Sequence, residues 1–97
     1  MISFIEYYSG RDYNFARWYL LKTLVVSVDS PNKNVNHIFL GEYFKAEKFL
    51  NNMFRIISGG NTNLKEGDII RIKNPDNHFY TFINKDDVIK TREEIFK

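Results

Sequence analysis

The segment Glu42-Tyr43-Phe44-Lys45-Ala46-Glu47-Lys48-Phe49-Leu50-Asn51-Asn52-Met53-Phe54-Arg55-Ile56-Ile57 decides the fold. Tyr43, Ala46, Leu50, Met53 and Ile57 recur at spacings of three and four, with Phe49, Phe54 and Ile56 flanking the same face. Lys45, Lys48, Asn51, Asn52 and Arg55 take the other side, which is the pattern of an amphipathic helix. Gly41 breaks the run before it and Ser58-Gly59-Gly60 supplies a stop, so a helix is predicted over about Glu42 to Ile57. Phe44 would then project toward the polar side, near Lys48 and Asn51.

Working outward, the flanks read as strands. Ile2 to Tyr8 is β-branched and aromatic and ends at the turn-forming cluster Ser9-Gly10-Arg11-Asp12. Tyr13 to Val28 is long and apolar; its second half is strand by β-branching, and its first half lacks the polar stripe of a surface helix. Asp29-Ser30-Pro31-Asn32-Lys33-Asn34 is a turn, and Val35 to Leu40 returns as a third strand. Beyond the helix, Asn61-Thr62-Asn63 is loop, Asp68 to Lys73 alternates, Asn74-Pro75-Asp76-Asn77 turns, and His78 to Ile83 completes a hairpin. Asp86-Asp87 can cap a short last helix through Phe96. The order is β-β-β-α-β-β with a C-terminal helix, a mainly β fold matching the small five-stranded Greek-key barrel that binds oligonucleotides.

Composition sets the bounds. A chain of 97 residues with 43% hydrophobic and 27% charged positions is one ordinary globular domain, with room for one modest core. Aromatics reach 16%, more than such a core hides easily, so some rings are expected at the surface. The absence of cysteine excludes disulfides, thiolate zinc sites and cysteine nucleophiles, and fits a reducing compartment. No apolar run approaches the ~18 residues of a membrane span, and Met1 is not followed by a secretory leader pattern. The expected setting is cytoplasmic. Asn, Ile and Lys fill 31 positions (11, 11 and 9), a bias of AT-rich genomes that points to a bacterium or a phage-infected cell. With 14 Lys+Arg against 12 Asp+Glu, a polyanionic partner must be held by local patches and stacking rather than by bulk charge.

Leu24-Val25-Val26-Ser27-Val28-Asp29 and, after a turn, Asn36-His37-Ile38-Phe39-Leu40-Gly41-Glu42 resemble strands two and three of oligonucleotide-binding (OB) domains. The likeness is nearest to replication protein A and telomere-end-binding types. Leu64-Lys65-Glu66-Gly67-Asp68-Ile69-Ile70-Arg71-Ile72-Lys73-Asn74 is similar to the fourth strand of the same group, where a Gly-Asp pair opens an aliphatic strand. The match covers about half the chain. It implies single-stranded nucleic acid lying across strands two and three, clamped by the loops between strands one and two and four and five. Gly67 is expected at a bend of positive φ or close backbone approach.

Read on their own, the residues from Tyr7 to Tyr19 are dense in rings and include Arg11 and Arg17. Rings stack on any base and Arg pairs with phosphate, which sequence-tolerant single-strand binding requires. The candidate nucleic-acid-binding residues are Arg11, Tyr13, Phe15, Arg17, Trp18, Lys22, Arg71, Lys73 and Tyr80. Core and interstrand packing accounts for four or five of these rings equally well. Register decides which are exposed: strict alternation from Leu24, Val26 and Val28 turns Leu20, Trp18 and Lys22 inward, whereas a bulge near Lys22 turns Trp18 and Lys22 outward and Arg17 in. Both registers stay open.

Catalytic signals are thin. Ser9, Ser27, Ser30 and Ser58 lack a nucleophile elbow, and no P-loop or dinucleotide fingerprint occurs. Asp86-Asp87 and Glu93-Glu94 read as helix termini and a solvated face, and His37 and His78 lack metal-ligand spacing. The expectation is a non-catalytic protein without metal or cofactor that binds single-stranded nucleic acid, DNA rather than RNA, in replication, repair or recombination. The rival is a small protein-interaction module, an adaptor or an inhibitor of a host enzyme, anchored by exposed rings. Glu93-Glu94-Ile95-Phe96-Lys97 is faintly similar to the docking tails of bacterial single-strand-binding proteins, but its helical spacing favours packing against the barrel.

Overall fold

The computed structural model of the protein describes residues 16–29, 35–50 and 52–96. Along the chain these form β1 (Ala16–Leu21), β2 (Val25–Asp29), β3 (Val35–Phe39), β4 (Tyr43–Leu50), β5 (Met53–Ser58) and β6 (Ile69–Arg71). A short helix α1 (Pro75–His78), β7 (Phe79–Phe82) and a helix α2 (Lys85–Ile95) follow. All pairings are antiparallel, in the order β3-β2-β6-β5-β4-β1-β7. The fold is mainly β, as the alternating flanks predict.

The helix expected over Glu42 to Ile57 is instead the hairpin β4–β5. Leu50 and Met53 are register partners, so the strands are joined by a two-residue connection, and Asn52 adopts φ 64° within it. Asn tolerates left-handed backbone and favours such turns. Phe44, Ala46, Phe54 and Ile56 alternate inward and are fully buried or nearly so, rather than forming one helical stripe. The aromatic-rich run satisfies both periods. Pairing with β1 on one side and β6 on the other selects the strand. Phe44, expected near the polar side of a helix, lies in the core.

The five-stranded barrel gives way with that helix. The sheet has seven strands, and among the described residues its ends, β3 and β7, do not pair with each other. The hairpin expected from Asp68 to Ile83 also dissolves: β6 pairs with β2 and β5, β7 pairs with β1, and α1 lies between them. A Pro at the start of α1 and Asn74 at φ 51° explain the detour.

The sheet curls. Laid flat, seven strands would hold β3 and β7 roughly 29 Å apart. Yet Val26, Val28 and Ile38 share one core cluster with Tyr19, Leu21, Phe44 and Phe79. The second face of β1 carries a smaller cluster, in which Trp18 and Leu20 meet Val88 of α2, with Tyr43, Phe82 and Phe96 against it. β1 is thus covered on both faces, and the register dilemma disappears because the chain turns at Lys22–Leu24. Alternation does not carry from β2 into β1, and Lys22 is exposed.

Two glycines fix corners. Gly41 (φ 86°) carries the chain from β3 to β4, and its carbonyl accepts a 2.6 Å hydrogen bond from Arg92 Nε of α2. Gly67 has φ 91° before β6, the positive value expected there. Phe96 follows α2 and packs on the smaller cluster, whereas Ile95 is exposed. Among the described residues no helix is long and apolar enough to cross a membrane.

Candidate nucleic-acid interface

The outer surface of β3, β2 and β6 follows from alternation. Val26, Val28, Ile38, Ile70 and Ile72 point into the core, so Val25, Ser27, Asp29, His37, Phe39 and Arg71 are left outside. Register partners set them in rows: Val25 opposite Phe39, Ser27 opposite His37, and Asp29 opposite Arg71 on its other side. Phe39 is 51% exposed and Val25 50%. Ser27 Oγ and His37 Nδ1 are hydrogen-bonded at 3.0 Å, and the His37 and Phe39 rings lie edge to face with centroids 6.4 Å apart.

Beside this row runs a groove of about 370 Å3, where β2 and β6 diverge after their single register pair, Asp29–Arg71. Arg71, Lys73 and His78 form one wall; Val25, Ser27 and Asp29 form the other. The backbone of β2 contributes as well. Leu40 N–H donates to Leu24 C=O at 2.9 Å, which sets the phase of the β2–β3 ladder. Alternate residues, Val26 and Val28, therefore bond to β3, and Val25 and Ser27 turn their N–H and C=O toward the groove. At the far end, His78 Nδ1 lies 3.3 Å from Thr23 Oγ1, and His78 C=O accepts from Lys22 N–H at 2.8 Å.

The predicted site residues separate. Arg11, Tyr13 and Phe15 lie outside the described residues. Arg71 and Lys73 come together on the groove. Lys22, whose N–H donates to His78 C=O, meets Tyr80, the ammonium 4.7 Å from the ring centroid. Arg17 is half-buried and donates to Ala16 C=O at 3.0 Å. Trp18 is only 8% exposed, packed beneath α2 with Lys45 and Lys85 over its ring, so it is not free to stack on a base. Covering of β1 by α2 is the physical reason. Phe39, His37 and Asp29 were not singled out by the sequence reading, although alternation in Val35 to Leu40 and in Val25 to Asp29 contains the signal.

Burial pushes the Tyr19 hydroxyl above the ordinary 10.0, Arg17 partly opposing and Asp76 adding to the rise. Among the described residues no three His, Cys, Asp or Glu side chains group to hold a metal. The chain matches no known protein family, no curated protein and no solved structure.

Proposed function

We propose that this protein binds single-stranded nucleic acid, DNA before RNA, across the outer face of β2, β3 and β6, without catalysing a reaction. The observation that carries the reading is the juxtaposition on one face of an exposed ring, Phe39, with the cations Arg71 and Lys73 along a groove. A base stacks on Phe39 and on the His37 edge, and adjacent phosphates run toward Arg71 and Lys73. Duplex hides its base faces and cannot use Phe39. The OB likeness supports the same face, since it implies a strand lying across strands two and three, here β2 and β3. Work in replication, repair or recombination, in a bacterium or a phage-infected cell, follows from that likeness and from the composition.

A labelled single strand in a mobility-shift titration tests this. Binding at micromolar concentration or below, with duplex of the same sequence weaker, is expected; duplex preference or no binding overturns it. A second reading has its own observation. Leu24 (78% exposed), Val25, Phe39 and Leu40 form an apolar corner at the end of the β2–β3 hairpin. Such a corner suits a protein partner, and the same titration separates the two readings.

A further inference from the structure

Asp29 stands out on this face. Among the described residues it is the one carboxylate lining a groove whose other charged walls are Arg71 and Lys73. Although Asp29 and Arg71 are register partners, no ion pair joins them, and Asp29 has no other ionic partner among the described residues. A groove serving phosphate alone gains nothing from an unpaired carboxylate, which repels the polyanion. A carboxylate has only acceptors at neutral pH, so it favours a ligand edge that donates. The backbone N–H and C=O groups of Val25 and Ser27, turned to the same groove, serve donor and acceptor edges alike, so discrimination falls to the carboxylate.

We infer that Asp29 makes the groove selective for bases that present an amino group, so that cytosine is bound in preference to thymine or uracil. The inference rests on the proposed single-strand binding. On a single strand the Watson–Crick edges are open to protein side chains. Cytosine offers its N4 amino hydrogens, which Asp and Glu accept, whereas thymine sets the O4 acceptor in the same place. A thymine there puts oxygen against a carboxylate with no proton between them. Phe39 lies opposite Val25, at the other end of β2 from Asp29, so the base it stacks is a neighbour of the one at Asp29. Cytosine and thymine have rings of one size, so stacking there contributes nearly equally and the difference falls on Asp29. Arg71 and Lys73 meanwhile hold the flanking phosphates, whichever base is present.

The experiment compares oligodeoxycytidine with oligodeoxythymidine of equal length by fluorescence anisotropy, on the full chain, at one salt concentration and mildly alkaline pH. The wild type is expected to bind oligodeoxycytidine about tenfold more tightly, the scale of one good base-edge contact. Asp29→Asn removes the charge and supplies a donor beside its acceptor. It is expected to bring the two ligands within about twofold, chiefly by tightening on oligodeoxythymidine. Asp29 is exposed, and matching melting curves for the two proteins establish that the variant is folded. Equal wild-type affinities overturn the base selectivity and leave single-strand binding standing. A ratio unchanged in Asp29→Asn overturns the assignment to Asp29. Failure to bind either oligomer overturns the proposed function itself, and the inference with it.

Discussion

Phe39 and Trp18 show how one residue class divides between surface and core. Both are large rings on strands, but Phe39 is half in solvent and Trp18 is closed in by Leu20 and Val88. Phe39→Ala is expected to leave the melting temperature nearly unchanged and to weaken single-strand binding by the ~1–3 kcal/mol of one base–aromatic stack. Trp18→Ala is expected to do the reverse, costing about 3–5 kcal/mol of stability while the folded fraction binds normally. Paired melting and anisotropy measurements check both; a Phe39→Ala protein of unaltered affinity removes stacking from the account. Tyr19 gives a pH test. Its ring lies among Phe44, Phe54 and Phe79, with centroids 5.4, 5.3 and 6.1 Å away. The folded state holds the hydroxyl proton more tightly than the unfolded chain, whose tyrosine titrates near 10.0. The resulting stability is therefore whole below that pH and is lost as pH rises through the higher folded value. Melting temperatures of Tyr19→Phe are expected to fall less steeply above pH 10 than those of the wild type.

At the scale of elements, the β4–β5 hairpin is the feature to test, because helix and hairpin give opposite signs for one substitution. In a helix, Asn52→Ala would improve stability by a few tenths of a kcal/mol through propensity. At φ 64° the same change places a Cβ in left-handed backbone and is expected to cost about 1 kcal/mol. Chemical denaturation decides, and stabilisation by Asn52→Ala contradicts the hairpin. The same segment shows why part of the fold was legible and part was not. Strands β2 and β3 can be read directly, since Val26, Val28 and Ile38 alternate with exposed residues. The C-terminal helix can be read from its acidic first turn, Asp86 and Asp87. In Glu42 to Ile57 the apolar residues are so dense that both periods fit. What decides is pairing with β1, a partner no local pattern names. Trp18 fails for a related reason: its burial depends on α2, which arrives almost seventy residues later. Of the candidate face, Arg71 and Lys73 were legible from alternation in the fourth predicted strand. Asp29 was read as the junction of a strand and a turn, and its side chain was given no role there.

For the whole molecule, the charge distribution fixes how binding must respond to salt. Net charge is only +2, so nonspecific attraction over the surface is weak. Arg55 cannot be counted toward the ligand, since it pairs with the buried carboxylate of Glu47 across β4 and β5. Asp86, Asp87, Glu93 and Glu94 offset the cations of α2, Lys85, Lys90 and Arg92. On the proposed face the candidate phosphate contacts are Arg71 and Lys73 of the groove, with Lys22 over the Tyr80 ring as a third. Each phosphate neutralised on a single strand contributes a slope of roughly 0.7 in a plot of log affinity against log salt, so a slope of about 2 is expected. Replacing both Arg71 and Lys73 by Ala should lower it by about 1.4. Phe39→Ala should shift the whole line without tilting it, because stacking releases no counterions. Anisotropy titrations of the three proteins over a salt series read these quantities together. If the double variant keeps the wild-type slope, phosphates do not run along this groove, and the strand crosses the molecule elsewhere.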